Sequence, residues 1–460
     1  MEIVAFSIFF AYLIKKVMEM PSPNGGGPFP ERHSGGSRNP FFFLEHLRGL
    51  TTLFILFVAM ITLVLFQMVP LPEALLKIIS PSSLATYRDF GSYPAGTFHP
   101  VSLNPYATRQ ELFRVLAYAA VFFVIVSHYG TKKQVNSLVR TILYMGCFLV
   151  VFAVVQKMTW NGRIFWIYPL DEALRSATKI WGAYINRNHF AGYMGMAIPL
   201  GLGLLLYSAP RVATLPGSPL GLKLARFMAS DKFVPYAMVF LLVLVMAAAL
   251  FMTFSRGGIL SFVVSSFFFA AITYRRRTLR RKTGLLALLA AVIFAAVVLA
   301  AWDGLEERFI DLEEQHVSRL SIWQDSLGIV RDYPILGTGL GTFEHAYPRY
   351  QTTMPRFLFD HAHNDYIETL TDTGFIGFVL AMGMATVFFR KTFLRWRRKH
   401  GMFSKCIGAG GLASFVAISV HSFADFNLHI PANALLFAVI SALTYAAVFN
   451  ISERNTVDEA

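Results

Sequence analysis

Apolar residues in this chain come in long charge-free runs rather than in alternation, and short basic clusters separate the runs. A helix crossing a hydrocarbon layer of about 30 Å needs about 20 mostly apolar residues. Ten runs meet or approach that length: Leu50–Leu71, Val115–Gly130, Thr141–Gln156, His189–Ala209, Phe233–Ser255, Gly257–Tyr274, Thr283–Trp302, Thr373–Phe389, Cys406–Ala424 and Pro431–Asn450. The second and third are near the lower limit and tolerate little tilt. The pattern predicts an all-α polytopic membrane protein with about ten (10–12) transmembrane helices. Ile3–Ile14 is apolar but short, and Lys15-Lys16 ends it; it reads as an interfacial segment rather than a further span or a standard signal peptide. Pro21–Pro40, rich in Pro, Gly and Ser, reads as a disordered linker.

Composition narrows the class further. Of 460 residues, 55% are hydrophobic and 15% charged, and 44 are Phe. Soluble domains carry about 25% charged residues, so a soluble enzyme, a secreted disulfide scaffold and a disordered chain are excluded. The two cysteines, Cys147 and Cys406, both sit inside apolar runs and point to neither a disulfide nor a thiolate metal site. The net charge of +14 would suggest a nucleic-acid partner in a soluble protein. Here it follows from the loops.

Arg275, Arg276, Arg277, Arg280, Arg281 and Lys282 fall between the sixth and seventh runs. Arg390, Lys391, Arg395, Arg397, Arg398, Lys399 and Lys405 fall between the eighth and ninth. Lys132, Lys133 and Arg140, and Arg211, Lys223, Arg226 and Lys232, occupy two further loops. With ten spans all four loops share one side, the cytoplasmic one. The other side carries residues 303–372, where thirteen acidic residues face five arginines, nearly half of the chain's 27 acids. This large extracytoplasmic loop is the expected working part.

The loop holds a helical pattern, Leu320, Trp323, Leu327 and Val330. The turn Asp332-Tyr-Pro-Ile-Leu-Gly-Thr-Gly-Leu-Gly341 follows. Its glycines could offer backbone N–H groups to an anion, but a helix cap and turn explains them as well. Next comes His361-Ala-His363-Asn364, then Gly374 at the start of the eighth run, which sets the histidines about three helical turns from the membrane. A histidine near its ordinary pKa can take a proton from a hydroxyl. His-x-His can also bind zinc, with Asp360, His345 and His316 as further donors, but no third ligand is evident. No metal or cofactor is expected.

Arg256, in Ser255-Arg256-Gly257-Gly258, lies at the outer junction of the fifth and sixth runs, against the positive-inside bias. Arg187, in Asn186-Arg-Asn-His189, lies at the outer start of the fourth. Snorkelling is the ordinary explanation for such arginines; a bidentate phosphate contact is the functional one. His421, Asp425, Asn427 and His429 gather at the outer end of the ninth run, as positioning groups or as loop filling. Outward arginines beneath a histidine suit a lipid-linked phosphate and a hydroxyl acceptor. Neither a P-loop nor an Asp-rich metal motif is present.

At these residues the chain resembles the O-antigen ligase and O-antigen polymerase family, which includes related bacterial oligosaccharyltransferases. The resemblance rests on Ser255-Arg256-Gly257, Arg319-x-x-x-Trp323, Pro334-x-x-Gly337-x-Gly339, His363-Asn364 with Gly374-x-x-Gly377, and His421–Pro431. It covers roughly Tyr184 to Val448. It implies a GT-C-like, metal-independent glycosyltransferase that moves a glycan from undecaprenyl pyrophosphate to an acceptor hydroxyl at the outer face of the bacterial inner membrane. Arg256 and Arg319 are expected to contact the donor pyrophosphate and His363 to activate the acceptor. Arg187, His361, Asn364, Trp323 and His421 are expected to bind substrate. Because His361 lies two residues before His363, either can be the base. The acceptor is a lipid A core sugar, the growing glycan or a protein hydroxyl. Membrane lipid is a partner and nucleic acid is not.

The expected organisation is a cytoplasmic or interfacial segment with linker (1–47), N-terminal transmembrane helices (48–183), an O-antigen ligase-like domain including loop 303–372 (184–450), and a short polar tail (451–460). A transporter or flippase for a lipid-linked glycan is the main alternative. It predicts charged span interiors and an internal repeat, and the sequence has neither.

Overall fold

The computed structural model describes residues 40–91, 96–169, 182–209, 219–275, 312–353 and 358–451. Among them, α-helices account for nearly all regular structure. They are α1 (Pro40–Gln67), α2 (Glu73–Ile79), α3 (Pro81–Phe90), α4 (Pro105–His128), α5 (Lys132–Met158), α6 (Arg187–Ser208), α7 (Leu220–Met228), α8 (Phe233–Met252), α9 (Arg256–Tyr274), α10 (Leu312–Asp332), α11 (Phe343–Ala346), α12 (Asp365–Arg397), α13 (Met402–His421) and α14 (Pro431–Tyr445). One two-stranded antiparallel hairpin, Arg163–Ile164 with Tyr168–Pro169, interrupts them.

Nine helices among the described residues are long and apolar enough to cross a membrane, and they coincide with nine of the ten expected spans. The tenth, Thr283–Trp302, lies outside the described residues, as do Ile3–Ile14, the Pro21–Pro40 linker apart from its last residue, and the polar tail. The two runs that looked short are the uncharged parts of longer helices. α4 has 24 residues and α5 has 27. Their ends carry the charge that trimmed the sequence reading, including a Glu111–Arg114 ion pair. α5 begins at a capping box in which Thr131 and Gln134 satisfy each other's backbone N–H groups.

The chain divides into two compact units. One takes the residues up to His128 with Gly328–Arg349 and Thr369–Phe388. Within it, Pro334 and Ile335 accept hydrogen bonds from the backbone N–H groups of Phe375 and Ile376. That pairing holds a break in α12 at Gly374, where φ is +62°. A Cβ at Gly374 would stand 2.3 Å from the Ile335 carbonyl oxygen, so both the space and the backbone angle require glycine.

The second unit takes Tyr129–Leu327, Tyr350–Glu368 and Phe389–Ala460. Its centre is α6, with 89% of its apolar window buried, packed against α13 and flanked by α5, α8, α9 and α14. α6 and α13 approach closely because glycine faces backbone. A Cβ on Gly203 would meet the Cys406 carbonyl oxygen at 2.5 Å, and one on Gly410 the Pro199 carbonyl oxygen at 2.7 Å. Small residues at a crossing let helices in lipid gain dispersion contact, where apolar burial alone gives no drive. Leu200, Leu204, Ile407 and Leu443 fill the surrounding core.

α10 is helical where the apolar spacing predicts, but a different face is buried. Leu320 and Leu327 are 55% and 57% exposed, while Ile322, Ser326 and Ile329 are inside. The periodic leucines face outward, and the buried side of α10 includes Ser326 and Asp325, whose carboxylate accepts from the Thr352 backbone and hydroxyl.

Candidate functional site

The site residues of the second unit meet at the connection between α13 and α14. Asp425 is its buried centre, with a side chain 1% exposed. The chain reaches it through a tight turn, in which Ala424 and Asp425 donate to the His421 carbonyl. His363 Nδ1 and His189 Nε2 each lie 3.5 Å from Asp425 Oδ1, which also accepts from the Phe426 backbone. Arg319 donates to the Ala424 carbonyl at 2.9 Å and stands 3.8 Å from Asp425 Oδ2. Burial alone would push the Asp425 carboxyl up. The adjoining His189 and His363 imidazoles outweigh it and hold the group well below the usual carboxylate range.

α9 borders the same corner. Ser255 caps it by accepting from the Gly258 backbone, which sets Arg256 at the first helical position, exposed. Gly257 packs so closely on the α13–α14 connection that an added Cβ would sit 3.0 Å from Ala424 Cβ and 3.1 Å from His421 Cδ2. α6 approaches from another side, capped by Asn186, with Arg187 first in the helix. A Cβ on Gly192 would overlap Asn427 Oδ1 at 2.0 Å. Thus the N-termini of α6 and α9, each headed by an arginine, flank the turn that carries Asp425. Helix N-termini and arginines both favour an anion.

The hydrogen-bonding capacity around Asp425 is only partly used. Buried atoms without a hydrogen-bond partner include His189 Nε2, His363 Nδ1, His421 Nδ1, Asp425 Oδ2 and Asn427 Nδ2. Buried polar atoms are normally paired, and these five gather around the α13–α14 connection, with His189 Nε2 and His363 Nδ1 facing the Asp425 carboxylate at 3.5 Å. His363 also has a left-handed backbone, φ +50°, as does Phe254 beside the Ser255 cap. Such backbone costs a non-glycine residue roughly 1–3 kcal/mol and concentrates at functional sites.

Phe426 separates this corner from a second one. The rings of His189 and His363 meet Phe426 edge-on at 4.6 and 4.9 Å, and His361 stacks on it at 4.2 Å. Beyond it, His361 Nδ1 lies 2.5 Å from Glu368 Oε1, while Glu368 Oε2 accepts from the Ala362 backbone. His429 Nε2 is 3.4 Å from Glu368 Oε1, and His429 Nδ1 is 2.9 Å from Asp365 Oδ1. Asp365 also accepts from Ser422 and Leu428. Burial opposes the His361 imidazolium, but the charge and hydrogen bond of Glu368 outweigh it and raise the His361 pKa.

The remaining predicted residues hold the frame. Asn364 caps α12: its Oδ1 accepts from Tyr366 and Ile367, and its Nδ2 donates to Phe423. Both ends of its amide are spent on backbone. Trp323 donates its indole N–H to the Ala362 carbonyl at 3.0 Å and so ties α10 to the segment between the two histidines. The Gly-rich turn belongs to the first unit and offers no anion cradle. The N–H groups from Gly337 to Gly341 go to Tyr333, Thr371, Asp372, Gln67 and the Asp372 carboxylate.

Sequence reading did not single out His189, Asp365, Glu368 or Phe426. The segment His421–Pro431 did carry a signal: four polar residues, His421, Asp425, Asn427 and His429, in an apolar setting.

Residues 241–382 match the family model for O-antigen ligase, and the match spans Arg256, Arg319 and His363. It supports assigning the chain to the O-antigen ligase family, as a multi-pass membrane protein of the glycan-transferring type. No curated protein matches the chain.

Proposed function

From its assignment to the O-antigen ligase family, we propose that this protein transfers a glycan from undecaprenyl pyrophosphate to an acceptor hydroxyl at the outer face of the bacterial inner membrane. The observation that carries the reading is the Asp425 corner. Two histidines, one arginine contact and several orphaned polar atoms surround a single buried carboxylate, and two of those neighbours, His363 and Arg319, come from the segment that matches the O-antigen ligase model.

In this reading Arg256 and Arg319 hold the donor pyrophosphate, with Arg187 at the neighbouring helix start. Asp425 orients His363 through Nδ1, which leaves Nε2 to face the acceptor. The acceptor oxygen bonds to the anomeric carbon as its proton passes to Nε2. The bond from that carbon to the pyrophosphate oxygen breaks, and the arginines take up the charge of the departing undecaprenyl pyrophosphate. A single displacement inverts the anomeric centre. The pyrophosphate is already a competent leaving group, so arginine neutralisation stands in for a metal, and the transfer is metal-independent.

His363 is favoured over His361 as the base because the carboxylate it contacts, Asp425, also has Arg319 beside it, whereas His361 lies flat on Phe426 and pairs with Glu368 in the other corner. The acceptor is lipid A core, the growing glycan or, less favoured, a protein hydroxyl.

The test is transfer by the purified protein with an undecaprenyl-pyrophosphate glycan and EDTA, offering core lipid A, no added acceptor, or an acceptor protein. Product on core lipid A identifies a ligase, and a ladder without added acceptor a polymerase. Donor binding without product on any acceptor overturns the reading in favour of a carrier.

A further inference from the structure

The corner beyond Phe426 has the donor set of a transition-metal site. His361, Glu368 and His429 each present a ligand atom, and the three atoms lie within 4.8 Å of one another. We propose that His361 Nδ1, Glu368 Oε1 and His429 Nε2 bind one divalent transition-metal ion of the zinc class, which clamps the histidine segment to the α13–α14 connection. This goes beyond the transfer reaction and has no part in its chemistry.

Four observations support the assignment. Two imidazoles and one carboxylate are a recurrent three-ligand set for zinc, leaving a fourth position open. Zinc–ligand bonds of about 2.0–2.2 Å place the donors of a tetrahedral site roughly 3.3 Å apart, and Glu368 Oε1 to His429 Nε2 is 3.4 Å. His361 Nδ1 and Glu368 Oε1, at 2.5 Å, share a hydrogen bond whose proton the ion would replace; a small rotation of the half-buried His361 ring opens that pair and closes the gap to His429.

The supporting contacts are also those of a metal site. A ligating histidine characteristically gives its other ring N–H to a carboxylate, which fixes the tautomer. His429 does so through Nδ1 to Asp365 at 2.9 Å, leaving the Nε2 lone pair facing Glu368. Asp365 is itself held by Ser422 and the Leu428 backbone, and Glu368 Oε2 by the Ala362 backbone. Finally, the Glu368 side chain is 2% exposed, while those of His361 and His429 are 26% and 18% exposed. The carboxylate is buried and the imidazoles line an approach for the ion.

The experiment uses the full chain in detergent micelles, without a histidine tag, stripped with dipicolinate and titrated with Co²⁺. The expected result is one equivalent bound with visible d–d bands, bleached when Zn²⁺ displaces it. His361→Ala, His429→Ala and Glu368→Gln should each weaken Co²⁺ binding at least about a hundredfold, and Asp365→Asn about ten- to a hundredfold. His363→Ala should bind like the unaltered chain. The half-exposed His361 keeps the test open if Glu368→Gln fails to fold, and the Zn²⁺ displacement needs no variant. Absence of a saturable band from the unaltered chain overturns the proposal. So does a band that survives His361→Ala and His429→Ala, or one lost in His363→Ala. Because the readout is the ion's own spectrum, failure here leaves the transfer reading standing, and failed transfer leaves this one.

Discussion

Two buried carboxylates lie on opposite sides of Phe426, and they are built in opposite ways. Glu368 has both oxygens engaged, by His361 and His429 on one and the Ala362 backbone on the other. Asp425 has neighbours at 3.5 and 3.8 Å and an Oδ2 without a hydrogen bond. A saturated carboxylate in a low-dielectric setting fixes structure. In the proposed reaction, an under-bonded one among histidines and an arginine awaits groups that arrive with a substrate. The difference teaches where to look for chemistry, since residue types alone do not distinguish the corners.

The sharpest way to break this contrast is to remove a histidine from each. His363→Ala should lower transfer by about 10²–10⁴-fold, the usual worth of a general base, with donor binding retained. His361→Ala should cost far less. Loss in His361→Ala with activity in His363→Ala would move the base to the other corner.

Arg256→Lys keeps the charge but loses the planar fork. It should lower transfer by about ten- to a hundredfold and raise the donor KM. Full activity would remove Arg256 from the pyrophosphate site.

Gly374→Ala should destabilise the first unit by about 1–3 kcal/mol, from the left-handed backbone and the Ile335 carbonyl in its path. A thermal unfolding scan in detergent reads this, and an unchanged midpoint would contradict the kink's role.

The smallest expected effect is in pH. Because Asp425 is held below its ordinary pKa, its contribution to stability is fully present above about pH 4, the unfolded value. It is lost only as pH falls further, through the folded one. The stability advantage of the unaltered chain over Asp425→Asn, read by thermal unfolding in detergent, should therefore shrink as pH falls below about 4. An advantage that does not shrink there would contradict the low Asp425 pKa.

Much of the architecture was legible because lipid imposes a simple rule: a span must be long and uncharged. Where charge sat at helix ends, as in α4 and α5, the rule trimmed the helices too short. In α10, Leu320 and Leu327 gave the helix away but not its buried side, since a leucine row marks an apolar face without saying whether protein or lipid covers it. Arg256, Arg187 and His363 were readable as unusual residues away from the basic loops, whereas Arg319 entered only through the family resemblance. Asp425 stood out only as part of a polar segment, and Glu368 not at all. A carboxylate in the first turn of a helix such as α12 is common for reasons of the helix dipole. Only the fold brings His361 and His429 to it, from positions 7 and 61 residues away.

The most direct measurement of the central claim is single-turnover transfer at saturating donor by Asp425→Asn and Glu368→Gln, each checked for folding and donor binding. The account predicts a loss of about a hundredfold in Asp425→Asn, whose His363 has lost its orienting charge, and less than tenfold in Glu368→Gln. The reverse order, with donor bound equally well by both, would place the chemistry on the other side of Phe426 and contradict the account.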